Sequence, residues 1–342
     1  MSEPIGVGLI GYGLGGRAFH APYIRSTQGM ALKAIVSRDP GKVVADLPDT
    51  LVVPDVETLL ATPGIDLVVV SSPDALHAAH ALAALRAGKH VVIDKPFATN
   101  LDDARAIAAE ADARGLVVTA FQNRRWDADF RTLQRLIADG ALGRVVELRS
   151  HFDRWRPEPA ATWKEAREGG AWLDLGPHLV DQALVLFGRP QAIRADLATL
   201  RDDAPAPDYF DVTLRYESHR VLLHSTKLAA DHGLRFVVHG TRASWSKRGF
   251  DPQEAATVAG RSPAGEDWGT DTELGTLTSG EAGRAPERVT NERGDYRLFW
   301  HALAAVIRGE APNPVPPSDA LAVMELLDAG LQSAREGREV LL

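Results

Sequence analysis

The sequence predicts an α/β protein of two domains: a parallel sheet with crossover helices over residues 1–122, then an α/β domain with an open, mainly antiparallel sheet over 123–342. Three observations carry this. In the first region, short and almost entirely apolar runs alternate with helical stretches, which is how strands covered on both faces read. After Gln122 the pattern changes to long alternating strands with few helices between them, the mark of a sheet covered on one face. A chain of 342 residues with 45% hydrophobic content also exceeds the usual single core.

Taken in order, the first domain has strand candidates at Ile5 to Ile10, Leu32 to Val36, Leu67 to Val70, Val91 to Ile93 and Val117 to Ala120. Between them lie helices at Val56 to Leu60, Leu76 to Ala87 and Leu101 to Arg114, the last with Asn100 as its cap and Gly115 as its stop. In the second domain a helix near Phe130 to Asp139 precedes strands at Val145 to Phe152, Phe210 to Tyr216, Val221 to Leu228 and Leu234 to His239. Asp251 to Gly294, rich in Gly, Pro, Ser, Thr and acids, reads as loops and irregular strands. Helices at Tyr296 to Ile307 and Ser318 to Arg335 close the chain and are expected to pack across the junction. An open sheet leaves an apolar face to cover, so face-to-face self-association into a homodimer or homotetramer is expected.

Composition excludes several classes. With 38 basic against 46 acidic residues the net charge is -8, which disfavours a partner with a phosphate backbone. No window reaches the roughly 18 uncharged apolar residues of a bilayer span, and Met1 to Gly11 lacks a basic signal start, so no membrane partner and a cytoplasmic location are expected. Cysteine is absent, which removes disulfides, thiolate nucleophiles and Cys-ligated metals together.

The first strand runs into Gly11-Tyr12-Gly13-Leu14-Gly15-Gly16, a G-x-G-x-x-G between a strand and a helical stretch. Gly11 permits the tight turn, Gly13 lets backbone approach a pyrophosphate, and Gly16 allows close helix packing. Gly11, Gly13, Leu14 and Gly16 are therefore candidate contacts in a Rossmann dinucleotide site. The second strand ends in Ser37-Arg38-Asp39-Pro40. An acid there serves the ribose 2′-hydroxyl of NAD, whereas an Arg accommodates the 2′-phosphate of NADP. Asp39 before Pro40 also reads as a helix cap with Pro at the first helical position, so Ser37 and Arg38 on NADP are favoured over Asp39 on NAD. The plain alternative for Arg38 is a solvated surface charge.

Two further segments carry chemistry. The strand His90 to Ile93 ends in Asp94-Lys95-Pro96, at the sheet's carboxyl edge, where ligands bind. Gly170 to His178 leads into an apolar helix, Leu179 to Phe187, closed by Gly188. Pro177 belongs in a helix's first turn, which places Asp174 and His178 near a helix N-terminus and, at i, i+4, on one face if Asp174 is already helical. There a neutral His178 can take a hydroxyl proton, Asp174 can orient it, and Lys95 can hold the same oxygen. The plain alternatives are a cap for Asp174, a packed turn residue for His178 and a solvent or phosphate contact for Lys95.

These segments, with Ser71-Ser72-Pro73, His77 and Gly88-Lys89-His90-Val91, resemble the Gfo/Idh/MocA family of glucose-fructose oxidoreductase and inositol dehydrogenase over nearly the whole chain. The resemblance implies Lys95, Asp174 and His178 as the catalytic set and a commonly cis Lys95–Pro96 bond. It also adds Ser72, Pro73, His77, Lys95 and Asn123 to the cofactor side. Asp94 stands where Glu is more usual, which puts the positioning role of that carboxylate in question. Ala18-Phe19-His20-Ala21-Pro22, the run Gln122 to Phe130 and Arg154-Trp155-Arg156-Pro157 are closer to the NADP-dependent scyllo-inositol dehydrogenases. That likeness implies Arg124, Trp155 and Trp163 as substrate contacts beside Lys95, Asp174 and His178; for Trp155 ordinary sheet packing serves equally.

The expected activity is hydride transfer between a nicotinamide, NADP before NAD, and a ring hydroxyl of a cyclitol or sugar such as scyllo-inositol. A non-enzymatic NAD(P)- or sugar-sensing regulator is the alternative of another class, and a glycosidase using transient oxidation by bound NAD is a further one. Asp174-x-x-x-His178 has no clear accompanying His/Glu set, so no metal is expected.

Overall fold

The computed structural model describes residues 3–160, 165–167 and 169–342. The chain divides into two compact units, one of residues 1–126, 252–268 and 295–321, the other of 127–251, 269–294 and 322–342.

The first unit holds six strands: β1 (Ile5–Ile10), β2 (Met30–Val36), β3 (Leu51–Val53), β4 (Leu67–Val70), β5 (His90–Ile93) and β6 (Val118–Ala120). Every pairing is parallel and the order is β3-β2-β1-β4-β5-β6. β1 and β4 are buried along their whole length, because helices cover both faces and no position can be polar. The strand order reverses between these two, and their carboxyl ends open the crevice in which such sheets bind ligands. Helix Leu101–Arg114 follows its sequence signals, with Asn100 accepting from the Asp103 amide at 2.8 Å and Gly115 left-handed at its end. β3 has three residues, too short for a periodic signal.

The second unit holds β7 (Val145–His151), β8 (Ala192–Ala198), β9 (Tyr209–Arg215), β10 (Arg220–Thr226), β11 (Leu234–Gly240), β12 (Ala243–Arg248), β13 (Gly275–Ser279), β14 (Glu287–Val289) and β15 (Val340–Leu341). They form one sheet in the order β14-β13-β12-β11-β7-β10-β9-β8-β15. Among the described residues of this sheet, only β7 and β10 pair in parallel. Alternate residues Phe210, Val212 and Leu214 of β9 and Val221 and Leu223 of β10 face the core, where Trp172 is wholly buried and donates its indole N–H to the Leu327 carbonyl at 3.0 Å. Arg235 is buried in the same unit, bonded to Asp129 at 3.1 Å, Gln182 at 2.7 Å and Ser150 at 2.8 Å.

Three expectations are corrected here. The second face of the large sheet is mixed rather than uniformly apolar: Glu147, Arg149, His151, Asp211, Thr213, Arg215 and His224 share it with Tyr209, Leu222 and Val237, so the apolar area it offers for self-association is smaller than expected. The stretch Asp251 to Gly294 contains helix Gln253–Val258 as well as β13 and β14. Helix Gly170–Phe187 starts well before Pro177, which sits inside it. The amide that Pro177 lacks would have bonded the Leu173 carbonyl, and Arg167 donates to that carbonyl instead at 3.0 Å.

Candidate active site

At the end of β1 the chain turns with Gly11 at φ 98°, a conformation that favours glycine; a Cβ there would also stand 2.5 Å from the Ser71 carbonyl oxygen. A Cβ on Gly16 would meet the Gly11 carbonyl at 2.1 Å, so the helical segment packs directly on the turn. Gly13 is different: a Cβ there meets nothing within 4 Å. The turn is therefore closed where it packs and bare at Gly13, which fits the backbone approach of a pyrophosphate. Leu14 is exposed beside it. Tyr12 donates to Asp46 at 3.2 Å, and burial together with that carboxylate pushes its phenol up to about 12.

Asp94 is the hub beneath this turn. Its carboxylate accepts from the Lys95 amide at 2.9 Å and the Ser71 hydroxyl at 3.1 Å, and meets His20 Nε2 at 3.3 Å. A Cβ on Gly15 would stand 2.8 Å from the same carboxylate. Burial would raise the Asp94 pKa, but the hydrogen bonds and positive charge of His20, with smaller help from His77 and the Lys95 amide, hold it below the usual range. His20 is fully buried between Phe121 and Trp300. The shorter Asp94 thus reaches a defined set of partners, and His20 is the member that sequence reasoning missed, although Ala18-Phe19-His20-Ala21-Pro22 had drawn attention to it. The Lys95–Pro96 bond is cis. His77, expected on the cofactor, spends both ring nitrogens inside the protein, on the Pro96 carbonyl at 2.7 Å and the Ser72 carbonyl at 2.9 Å. It braces the loops that carry Ser72, Pro73 and Lys95.

At the end of β2, Asp39 caps helix Pro40–Asp46, accepting from the Lys42 amide at 3.2 Å, with Pro40 in its first turn. The Ser37 hydroxyl closes onto the Asp39 backbone at 3.0 and 3.1 Å. Arg38 is exposed.

In the second unit Asp174 and His178 both lie within helix Gly170–Phe187, one turn apart and so on one face. They stand in its second and third turns rather than at its N-terminus. Two cations that sequence reasoning missed interact with Asp174. Arg167 and Lys227 are both depressed by burial, and the Asp174 carboxylate pulls each of them back up. Lys227 follows the end of β10, a position no spacing rule marks. Arg201 ties the loop after β7 by bonds to Asp208 at 2.7 Å, Glu165 at 2.5 Å and the Arg156 carbonyl at 2.9 Å.

Trp155 makes an isolated bridge to Leu228 and is 52% exposed, so it is not core packing. Asn123 and Arg124 are buried on a short turn, Asn123–Trp126, and Arg124 is ion-paired with Glu254. Trp163 lies outside the described residues. Among those described, no helix is long and apolar enough to cross a membrane.

Residues 5–122 match the oxidoreductase family's NAD-binding Rossmann fold and residues 134–342 its C-terminal alpha/beta domain, both of the Gfo/Idh/MocA group. The chain belongs to this family. Family members of known sequence include YdgJ of Escherichia coli, an uncharacterized oxidoreductase 46% identical over 98% of both chains. The Bacillus subtilis scyllo-inositol 2-dehydrogenase (NADP(+)) IolW is 35% identical, covering 99% of this chain and 96% of its own. A solved structure from Yersinia pestis superposes with a TM-score of 0.97 at 44% identity, covering 100% of this chain and 98% of that one. As a family member, the chain is an NAD(P)-dependent oxidoreductase.

Proposed function

We propose that this oxidoreductase interconverts a ring hydroxyl of a cyclitol or sugar with the corresponding ketone, scyllo-inositol being the first substrate to try, and that NADP is its preferred cofactor. The observation that carries the reading is the anchored Lys95, whose backbone amide is fixed by Asp94 directly beneath the glycine turn. The nicotinamide, when bound, supplies the hydride acceptor or donor. Gly11, Gly13, Leu14 and Gly16 hold the pyrophosphate, and Ser72, Pro73 and Asn123 are assigned to the same cofactor. Lys95 holds the reacting oxygen. His178 removes the hydroxyl proton, and Asp174, one turn before it, orients the ring and balances the charge that develops. Arg124, Trp155 and Trp163 are assigned to the substrate. The NADP preference is supported by Asp39, whose carboxylate already caps a helix, leaving Arg38 as the cation at the end of β2.

The test follows nicotinamide absorbance with a panel of inositols, aldoses and glycosides, each with NAD and NADP. Reduction of NADP by scyllo-inositol or another cyclitol supports the reading. A panel without turnover under either cofactor, from protein shown to bind NADP, overturns it.

A further inference from the structure

Outside the residues assigned above, two histidines and an aspartate converge on the mixed face of the second unit's sheet. His151 ends β7, and His224 of the parallel β10 is its register partner, with the ring centroids 5.0 Å apart. Asp153, two residues on, turns one carboxylate oxygen to His151 Nδ1 at 3.2 Å and the other to His224 Nδ1 at 2.9 Å, and accepts the Thr226 amide at 3.0 Å. The same row of the face continues through Asp211, opposite His224, to Asp196, opposite Asp211. Carboxylates outnumber imidazoles along this row, which favours an approaching cation.

The donor set and its spacing both fit a metal. The candidate ligand atoms of His151, Asp153 and His224 all lie within 4.8 Å of one another. Bonds of about 2.0–2.1 Å in tetrahedral geometry set ligand atoms roughly 3.3 Å apart, near the distance from each Nδ1 to its own Asp153 oxygen, so a small side-chain adjustment brings the three donors onto one ion. Two imidazoles and a carboxylate suit first-row divalent ions, and an imidazole nitrogen can either donate to a carboxylate or offer a lone pair. Asp153 is nearly buried, which by itself would raise its pKa, but the hydrogen bonds and charge of the two histidines outweigh that and keep it anionic.

We propose that His151, Asp153 and His224 form a binding site for a divalent transition-metal ion, Zn²⁺ foremost. On binding, each Nδ1 gives its lone pair to the ion in place of its hydrogen bond to Asp153, with release of any protons carried there. The ion ties β7 to the parallel β10 at the point where the chain leaves for Trp155. The proposal rests on the cluster's own geometry and does not depend on the hydride-transfer reading.

The test uses the full-length, untagged chain stripped with a chelator. Calorimetric titration with Zn²⁺ should show one site per chain, Co²⁺ should give visible d–d absorption, and Zn²⁺ should shift the ring resonances of His151 and His224. His151→Ala or His224→Ala should weaken Zn²⁺ by more than the roughly 10–100-fold that losing an outer partner costs, and Zn²⁺ should raise the melting temperature of the wild type but not of these two variants. His239→Ala, an exposed histidine on the same sheet, should bind like the wild type. Absence of saturable binding, or ring shifts confined to other histidines, overturns the site, and those wild-type readouts decide even where a variant fails to fold.

Discussion

The two sheets of this chain treat polar groups in opposite ways. The parallel sheet buries β1 and β4 completely and presents its candidate site through backbone, at a glycine turn and around a cis-proline loop. The antiparallel sheet buries one face only, and its unit places charged side chains inside: Arg235 with Asp129, Arg201 with Asp208, Lys227 near Asp174. Backbone recognition needs a missing side chain and tolerates little else, whereas buried charge needs a partner from far along the chain. The first unit's glycine turn should accordingly be most sensitive to steric intrusion and the second unit's interior to orphaned charge.

The largest effect expected is catalytic. His178→Ala should lower turnover by about 10²–10⁴-fold with NADP affinity nearly unchanged, read by steady-state kinetics beside a cofactor titration. Lys95→Ala should behave similarly with some loss in cofactor binding. Asp174→Asn keeps the size of the side chain and removes its charge, so near-wild-type turnover would reduce the proposed pair to His178 alone.

Next come the buried charges. Arg235→Ala leaves Asp129 buried and unpaired, so denaturant unfolding should show a loss of about 3–5 kcal/mol. A loss below about 1 kcal/mol would put the contrast between the units in doubt, since that is the scale of an exposed pair.

The glycines sharpen the comparison within the first unit. Gly16→Ala puts a methyl 2.1 Å from a carbonyl oxygen and should cost about 1–3 kcal/mol of stability, whereas Gly13→Ala meets open space and should spare stability while weakening dinucleotide binding. Equal stability losses in both variants would mean that the open space at Gly13 plays no part in cofactor approach.

Cofactor choice is a similar increment. Arg38→Ala should weaken NADP more than NAD by about 1.5–3 kcal/mol, and equal losses would refute the assignment. Asp39→Ala should cost stability of about 1 kcal/mol, as a cap does, with the NADP to NAD ratio unmoved.

The smallest effect concerns acid. Asp94 has a depressed pKa, so its contribution to stability is present above the ordinary aspartate value of about 3.9 and is lost as pH falls below it. Asp94→Asn should flatten that acid limb. An unchanged limb would mean that the contacts to His20, Ser71 and Lys95 contribute nothing to folding.

Short-range physics made much of this chain legible from its residues alone. A strand buried on both faces must be apolar throughout, a capped helix announces both ends, and a turn with φ 98° needs glycine. For that reason Ile5–Ile10, the glycine turn, Asn100 and Gly115, and the capping role of Asp39 could all be read locally. The start of helix Gly170–Phe187 could not, because a proline inside a helix is tolerated only when another group takes the carbonyl it abandons, and Arg167 supplies that group through space. The same holds for His20 on Asp94 and for His77 between two carbonyls. Their partners lie from 5 to 74 residues away in sequence, and only the folded chain decides which polar groups share a low-dielectric site and must satisfy one another.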